Sequence, residues 1–420
     1  MTIGDLVADV LGTDLPVAIE AYDGSRVGPV DAPARIVIRS PDALGRIVRA
    51  PGELGFGRAY VAGDLDVEGD IFAVLALRDH LPDIRLARQQ WADAARLAGP
   101  HALKRLSPPP EEARLHGRRH SKERDAQAIA HHYDVSNDFY RHVLGPSMTY
   151  SCAVWTDPAI TLEEAQANKH ELICRKLDLQ PGMRLLDIGC GWGGMLLHAA
   201  EHHGVHAVGI TVSRRQAELA EKRAAEAGLA GRVEVRLQDY RDVADGPFDA
   251  ISSIGMFEHV GAAQLAVYFD RCFALLRPGG RFLNHAISRP AQSGMAMRAG
   301  RARFARRGFI DRYVFPDGEL HEVGAVTSAI QQAGFEARHM ESIREHYALT
   351  LRHWVANLEE HWDACVAEST AGRARVWRLY MAACALQFET NGVQVHQVLA
   401  AKPDGGDAGF PLRPRFEGLA

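Results

Sequence analysis

Along residues 184–288 the hydrophobic positions switch repeatedly between two spacings. The runs RLLDIG (184–189), HAVGIT (206–211), VEVRLQ (233–238), FDAISSIG (248–255) and RFLNHAIS (281–288) are short, apolar and of strand length. Between them MLLHAAEHHG, SRRQAELAEKRAAEAG and AAQLAVYFDRCFALL read as helices. Ser213 stands where an N-cap belongs, and Arg277-Pro278-Gly279-Gly280 is a stop signal for the last of the three. Strand and helix alternating in this way predict a mostly parallel, doubly wound α/β sheet of Rossmann-like architecture.

The 420-residue chain exceeds the usual size of one domain. Residues 1–100 mix β-like runs, such as Ala34-Arg35-Ile36-Val37-Ile38, with turn-rich glycine segments, such as Pro51-Gly52-Glu53-Leu54-Gly55-Phe56-Gly57. They predict a smaller α+β domain. Residues 101–125, with Pro108-Pro109-Pro110 and RLHGRRHSKERD, have the composition of an exposed charged linker. The α/β domain then covers 126–420.

A 47% hydrophobic and 24% charged composition suits an ordinary globular protein, and a net charge of −5 argues against a nucleic-acid partner. The start, MTIGDLVADVLG, has no basic stretch ahead of an apolar core, and no apolar run has the length of a bilayer span. The cysteines (Cys152, Cys174, Cys190, Cys272, Cys365 and Cys384) are scattered without a C-x-x-C pair. That pattern fits reduced thiols in a cytoplasm better than disulfides or a zinc site, so no metal is expected.

Asp187-Ile188-Gly189-Cys190-Gly191-Trp192-Gly193-Gly194 falls where the first strand turns into a helix. Glycines there let the backbone turn tightly and approach a ligand, and a purely structural turn is the bland alternative. Context favours a ligand: an acid precedes the glycines, the second strand ends at Thr211, and Gln238-Asp239-Tyr240 closes the third. Asp187 would hold a ligand ammonium through water or orient the turn, and Asp239 would accept an adenine amine. No Asp or Glu ends the second strand to hold ribose hydroxyls, which leaves Thr211 and Gln216 as the ribose candidates. The arrangement resembles an S-adenosylmethionine site more than a dinucleotide site, with Gly189, Gly191, Gly193 and Gln238 completing it.

A more specific resemblance lies on either side of this turn. It is carried by His131-His132-Tyr133-Asp134-Val135-Ser136-Asn137-Asp138-Phe139-Tyr140, Met148-Thr149-Tyr150-Ser151-Cys152-Ala153-Val154-Trp155 and Gly255-Met256-Phe257-Glu258-His259-Val260-Gly261. His285-Ala286-Ile287, Arg312-Tyr313-Val314-Phe315-Pro316-Asp317-Gly318 and Glu345-His346-Tyr347 continue it in order. Over about 130–400 the chain resembles cyclopropane-fatty-acid synthases and mycolic acid methyltransferases, which are class I S-adenosylmethionine-dependent methyltransferases. Phe56 to Asp70 is similar to the extra amino-terminal domain of the members that act on membrane phospholipids, which makes 1–100 a lipid-associated accessory domain.

The resemblance implies methyl transfer to the cis double bond of an unsaturated phospholipid acyl chain. The resulting carbocation needs a dry site and a base; Tyr150, Trp155, Phe257 and Tyr313 are candidate aromatic walls. The family's base is a bicarbonate ion, and its cage maps onto Cys152, Glu258, His285, Ile287 and Tyr347. Tyr150 and Ser151 join the cofactor contacts by the same mapping. Cys152 and Ile287 would contribute backbone groups, His285 and Tyr347 would donate hydrogen bonds, and Glu258 would accept the ion's proton. Cys152 need not be a nucleophile.

Loss of a proton from the new methyl gives a cyclopropane, and a hydride shift before proton loss gives a methylene branch. A reductase partner belongs only to the branched outcome. The basic, apolar-interleaved segment Met297 to Ile310 suits anionic headgroups, with Arg118-Arg119 as a weaker second candidate. The expected location is the cytoplasm, peripheral to the inner face of the membrane, and the family resemblance is compatible with a homodimer. Methylation of a non-lipid small molecule is the alternative activity.

Overall fold

The chain was analysed as a computed structural model that describes residues 1–80, 87–102, 106–118, 121, 124–125, 127–128, 132, 135–291 and 308–416. Two units separate within the described residues. One takes 1–114, 308–316 and 362–386, and the other takes 115–291, 317–361 and 387–416.

In the first unit β1 (Ala18–Ala21), β2 (Arg26–Val27), β3 (Ala34–Ile38) and β4 (Leu65–Gly69) form a sheet in the order β2-β1-β3-β4. β1 and β3 are parallel, and the other pairs are antiparallel. The β-like run at 34–38 is thus a strand whose side chains alternate between buried and half-buried. The turn-rich reading of 51–57 is corrected: Glu53–Ala62 is a helix. Its glycines serve close packing, because a Cβ at Gly57 would lie 2.3 Å from the Phe309 ring. Glu112 is buried in this unit against Arg58, which reaches both its oxygens at 2.8 and 2.9 Å, and against Arg312 at 2.6 Å. Arg378 is held by the Tyr60 hydroxyl and by the carbonyls of Val67 and Gly69.

In the second unit the five expected strands are β5 (Arg184–Ile188), β6 (His206–Thr211), β7 (Val233–Leu237), β8 (Phe248–Ile254) and β9 (Leu276–Ser288), all parallel. β10 (Glu336–Ser342) and β11 (Gln394–Ala401) extend the sheet as antiparallel strands, giving seven in the order β10-β11-β9-β8-β5-β6-β7. Alternate residues of β5 enter two different cores. Leu186 and Ile188 pack with the Leu265–Leu275 helix, whereas Leu185 packs with the Leu162–Leu177 and Gly194–His202 helices. A parallel strand covered on both faces needs apolar residues on each, and Leu185, Leu186 and Ile188 supply them. Ser213 caps Arg214–Glu226 as expected, accepting the Gln216 amide at 3.4 Å.

The strand after the third helix begins earlier than its apolar run. Leu276 already belongs to β9, so Arg277-Pro278-Gly279-Gly280 is inside the strand rather than ahead of it. Gly279 absorbs the irregularity with a φ of 72°, and its N–H donates to the Lys402 carbonyl at 2.7 Å. Among the described residues no helix is long and apolar enough to cross a membrane.

Candidate active site

β5 ends at Ile188, and the chain reverses through Gly189 (φ 81°), Gly191 (φ 54°) and Gly193 (φ 83°), all left-handed. The amides of Gly189 and Cys190 both donate to the Ile210 carbonyl at 3.0 Å, which folds the turn onto β6. The turn opens into a cavity at the carboxyl ends of β5, β6 and β8, the usual place for a ligand in an open α/β sheet. Tyr150, Ser151, Asp187, Gly189 and Gly191 line it from one side, and Thr211, Gln216, Gln238 and Asp239 from the other. Gly193 is the exception among the cofactor candidates. It caps the Gly194–His202 helix, and a Cβ there would come within 3.2 Å of the Ala220 methyl.

The polar groups of the cavity are ordered by one another. The Thr211 hydroxyl donates to Gln216 Oε1 at 2.7 Å, so the two ribose candidates form one unit. Arg241 holds both oxygens of Asp239, at 2.8 and 2.7 Å, and also reaches Asp125 at 3.2 Å. Any adenine amine must therefore share the Asp239 carboxylate with a guanidinium. The Gln238 amide donates to the Asp242 carbonyl at 3.0 Å. Asp187 is only 2% exposed and accepts the Ser252 hydroxyl at 2.6 Å. Burial pushes its carboxyl up to about 6 despite that bond and the nearby Lys169.

Lys169, which sequence reasoning missed, also lines this cavity. It is 0% exposed, and its Nζ donates to Ser151 Oγ at 2.9 Å. Burial pulls the ammonium down to about 7, with Cys152 and Asp187 opposing. A signal was present in the sequence. Lys169 stands four residues after Ala165 and three before Leu172, a charge on the buried stripe of its helix.

The five residues mapped to a bicarbonate cage lie outside the cavity lining, in the layer next to it. Cys152 is fully buried, its Sγ 3.6 Å from the Ile343 carbonyl, and burial raises the thiol well above its usual range. Tyr347 lies one turn on from Ile343 in the Arg344–Glu360 helix, packed between Trp354 and Phe388. Glu258 Oε1 accepts the Ile287 amide at 2.6 Å, while Glu258 Oε2 is buried with no hydrogen-bond partner among the described residues. Burial pushes this carboxyl up to about 7. His285 and Ile287 are alternate residues of β9 and so share a face.

The tautomer of His285 follows from its neighbours. Lys176 donates to Gln397 Oε1 at 2.7 Å, which fixes that amide and turns its NH₂ to His285 Nδ1 at 3.3 Å. Nδ1 therefore accepts and the ring proton sits on Nε2. Burial holds the imidazole neutral, well below its usual range, and Nε2 has no partner among the described residues. Glu258 Oε2 and His285 Nε2 are thus a buried acceptor and a buried donor, each unmatched among the described residues.

Of the expected aromatic walls, only Tyr150 lines the cavity. Trp155 donates through Nε1 to Thr350 and stacks on His353, and Phe257 belongs to the hydrophobic core. Tyr313 is in the other unit, with its hydroxyl 3.2 Å from Glu112. The greater part of the basic segment 297–310, Arg119, and His131, Tyr133 and Asp134 of the entry motif lie outside the described residues.

Comparison with known proteins fits this geometry. The family model described as mycolic acid cyclopropane synthetase matches residues 120–398. A probable fatty acid methyltransferase of Mycobacterium tuberculosis is 48% identical over 414 residues, 96% of this chain and 95% of its own. The cyclopropane-fatty-acyl-phospholipid synthase of Escherichia coli K12 is 34% identical over 372 residues, 88% of each chain. Among solved structures, the cyclopropane synthase MmaA2 of M. tuberculosis is similar at a TM-score of 0.62 and 35% identity, covering 67% of this chain and 98% of that one. The mycolic acid cyclopropane synthase CmaA1, solved with SAH and CTAB, gives a TM-score of 0.61 and 34% identity over 66% of this chain and 97% of its own. The chain belongs to the cyclopropane synthase family and is an S-adenosylmethionine-dependent methyltransferase that modifies fatty acids.

Proposed function

We propose that the protein methylates the cis double bond of an unsaturated phospholipid acyl chain, with a bicarbonate ion held by Cys152, Glu258, His285, Ile287 and Tyr347. The observation that carries this reading is the pair of unmatched buried atoms, Glu258 Oε2 and His285 Nε2. Leaving such groups unpaired costs about 1–3 kcal/mol each. A small anion with an acceptor oxygen and its own O–H has the partners that these two atoms lack, and bicarbonate is such an ion.

S-adenosylmethionine supplies an electrophilic methyl when bound, and bicarbonate supplies a base. The protein's residues arrange the rest. Neutral His285 would donate its Nε2–H to the ion, and Glu258 would accept a hydrogen bond from the ion's O–H. Ile287 holds Glu258 in place through its amide. The Cys152 thiol stays protonated, so it adds no competing nucleophile. Lys169, which lines the cavity beside the glycine turn, would hold the carboxylate end of the methyl donor.

A phospholipid acceptor is supported by coverage. The E. coli relative whose name specifies a fatty-acyl-phospholipid substrate aligns over 88% of this chain, whereas a mycolic acid synthase aligns over 66% of it and 96% of itself. The extra length of this chain fits the phospholipid-type members and supports a reaction at a membrane surface.

The test is incubation of purified protein with S-adenosylmethionine and vesicles of a monounsaturated phospholipid, with and without bicarbonate. Mass spectrometry should find one added CH₂ at the former double bond, dependent on bicarbonate and abolished by Glu258→Gln. The fragmentation pattern separates a ring from a branch. Bicarbonate-independent turnover would remove the anion from the proposal, and unmodified vesicles would remove the phospholipid.

A further inference from the structure

We propose that Cys174, His198 and His203, with Glu171 as the fourth group, form a binding site for one zinc-type divalent ion. Glu171 and Cys174 lie one turn apart on the Leu162–Leu177 helix. His198 is on the Gly194–His202 helix, and His203 is its C-cap. One ligand atom each from Cys174, His198 and His203 falls within 4.8 Å of the other two. His198 Nε2 and His203 Nε2 converge on a single oxygen, Glu171 Oε2, at 3.3 and 2.9 Å. None of these four side chains lines the cofactor cavity.

Tetrahedral zinc sits about 2.1 Å from nitrogen and 2.3 Å from thiolate, so its ligand atoms stand within about 4 Å of each other. Small side-chain rotations bring the present arrangement to that geometry. A thiolate with two imidazoles suits zinc or cobalt, whereas magnesium and calcium prefer oxygen ligands. Arg175 donates to Glu171 Oε1 at 2.6 Å and orients the carboxylate from behind, as outer partners of metal sites do. On binding, the Cys174 thiol releases its proton to solvent, a sulfur–metal bond forms, and the two imidazole–carboxylate hydrogen bonds give way to coordination. Cys174 is fully buried while the imidazoles and Glu171 are part-exposed, so the ion enters from the histidine side.

The position gives the site a consequence. It fastens the helix that begins at the glycine turn to the helix that carries Lys169, two walls of the cofactor cavity. The cysteine spacing rule found no metal because these ligands are E-x-x-C on one helix and H-x₄-H at the end of the next.

Full-length protein, stripped with chelator, should take up one equivalent of cobalt(II). The complex should show the strong visible bands of a four-coordinate ion and a thiolate-to-cobalt charge-transfer band, both displaced by zinc. Cys174→Ser should abolish the charge-transfer band, and His203→Gln should weaken affinity by at least about tenfold. His202→Gln, the neighbouring half-exposed histidine, should change neither. At equal zinc, the melting temperature of the parent should rise more than that of His203→Gln, which keeps the test valid if Cys174→Ser fails to fold. The proposal is overturned if no thiolate band forms in the parent, or if uptake survives His203→Gln unchanged and is lost in His202→Gln, the mark of surface histidine binding.

Discussion

Each unit has one buried cluster that handles charge differently, although the seven-stranded unit also pairs buried Lys176 with Glu341 and Gln397. In the unit built on β1–β4, both oxygens of Glu112 are occupied by Arg58, Arg312 and Tyr313, and Arg378 is spread over three acceptors. The Nε atoms of Arg312 and Arg375 are the unmatched exceptions there. In the seven-stranded unit, Lys169 has one hydroxyl for a partner among the described residues, and Glu258 Oε2 and His285 Nε2 have none. Paired burial stabilises a fold at little functional gain. Unpaired burial costs stability and persists where a ligand supplies the missing partner.

Glu258→Gln should break that contrast most visibly. Activity should fall by about 10²–10⁴-fold, the range for a positioned proton acceptor, while the fold becomes more stable at pH 8. Burial moves this carboxyl from 4.5 to about 7, so the folded state holds its proton more tightly than the unfolded chain. Its contribution favours folding below pH 4.5 and is lost as pH rises through about 7, which amounts to about 3 kcal/mol when the group is ionised. The amide removes that penalty. A variant both inactive and less stable by calorimetry would make Glu258 a structural group and erase the distinction.

Glu112→Ala should do the reverse. Removing one partner of a buried pair costs about 3–5 kcal/mol, so denaturant unfolding should shift strongly while SAH affinity of the folded fraction holds. Lys169→Met has the next smaller effect. SAH binding should weaken about tenfold, or 1.4 kcal/mol, in calorimetric titration. Binding of 5′-methylthioadenosine, which lacks the carboxylate, should not change. Equal losses for both ligands would mean that Lys169 shapes the cavity instead of meeting the carboxylate.

The sheet was legible because the central parallel strands are covered on both faces and so are dense in apolar residues, as in HAVGIT, while edge strand β7 reads as alternation. The glycine turn was legible because φ values of 81° and 54° at Gly189 and Gly191 leave few alternatives to glycine. Three features were not. Residues 53–57 read as turn because glycine is a poor helix former, yet a helix at close quarters with Phe309 requires it. The period puts Lys169 on the buried stripe of its helix, but that the stripe faces a cavity depends on what packs against the helix, which period does not report. The convergence of Cys174, His198 and His203 depends on two helices meeting, and linear spacing carries no trace of it.

Tyr313 offers the finest test of the contrast, because motif matching made it a wall of the reaction site and the structure puts it in the paired network. Its hydroxyl, 3.2 Å from Glu112, is one bond among several on a carboxylate that Arg58 and Arg312 already hold. Tyr313→Phe keeps the ring, which stacks on Phe309 at 4.7 Å, and deletes the hydroxyl that bonds Glu112 and Arg58. The expected loss is about 1 kcal/mol of stability by urea unfolding, with no unpaired charge left behind. Turnover on phospholipid vesicles should be unchanged, because the hydroxyl meets Glu112 and not the cavity. A clear fall in kcat at unchanged stability would return Tyr313 to the reacting chain. It would also show that charge pairing in the smaller unit serves catalysis as well as folding.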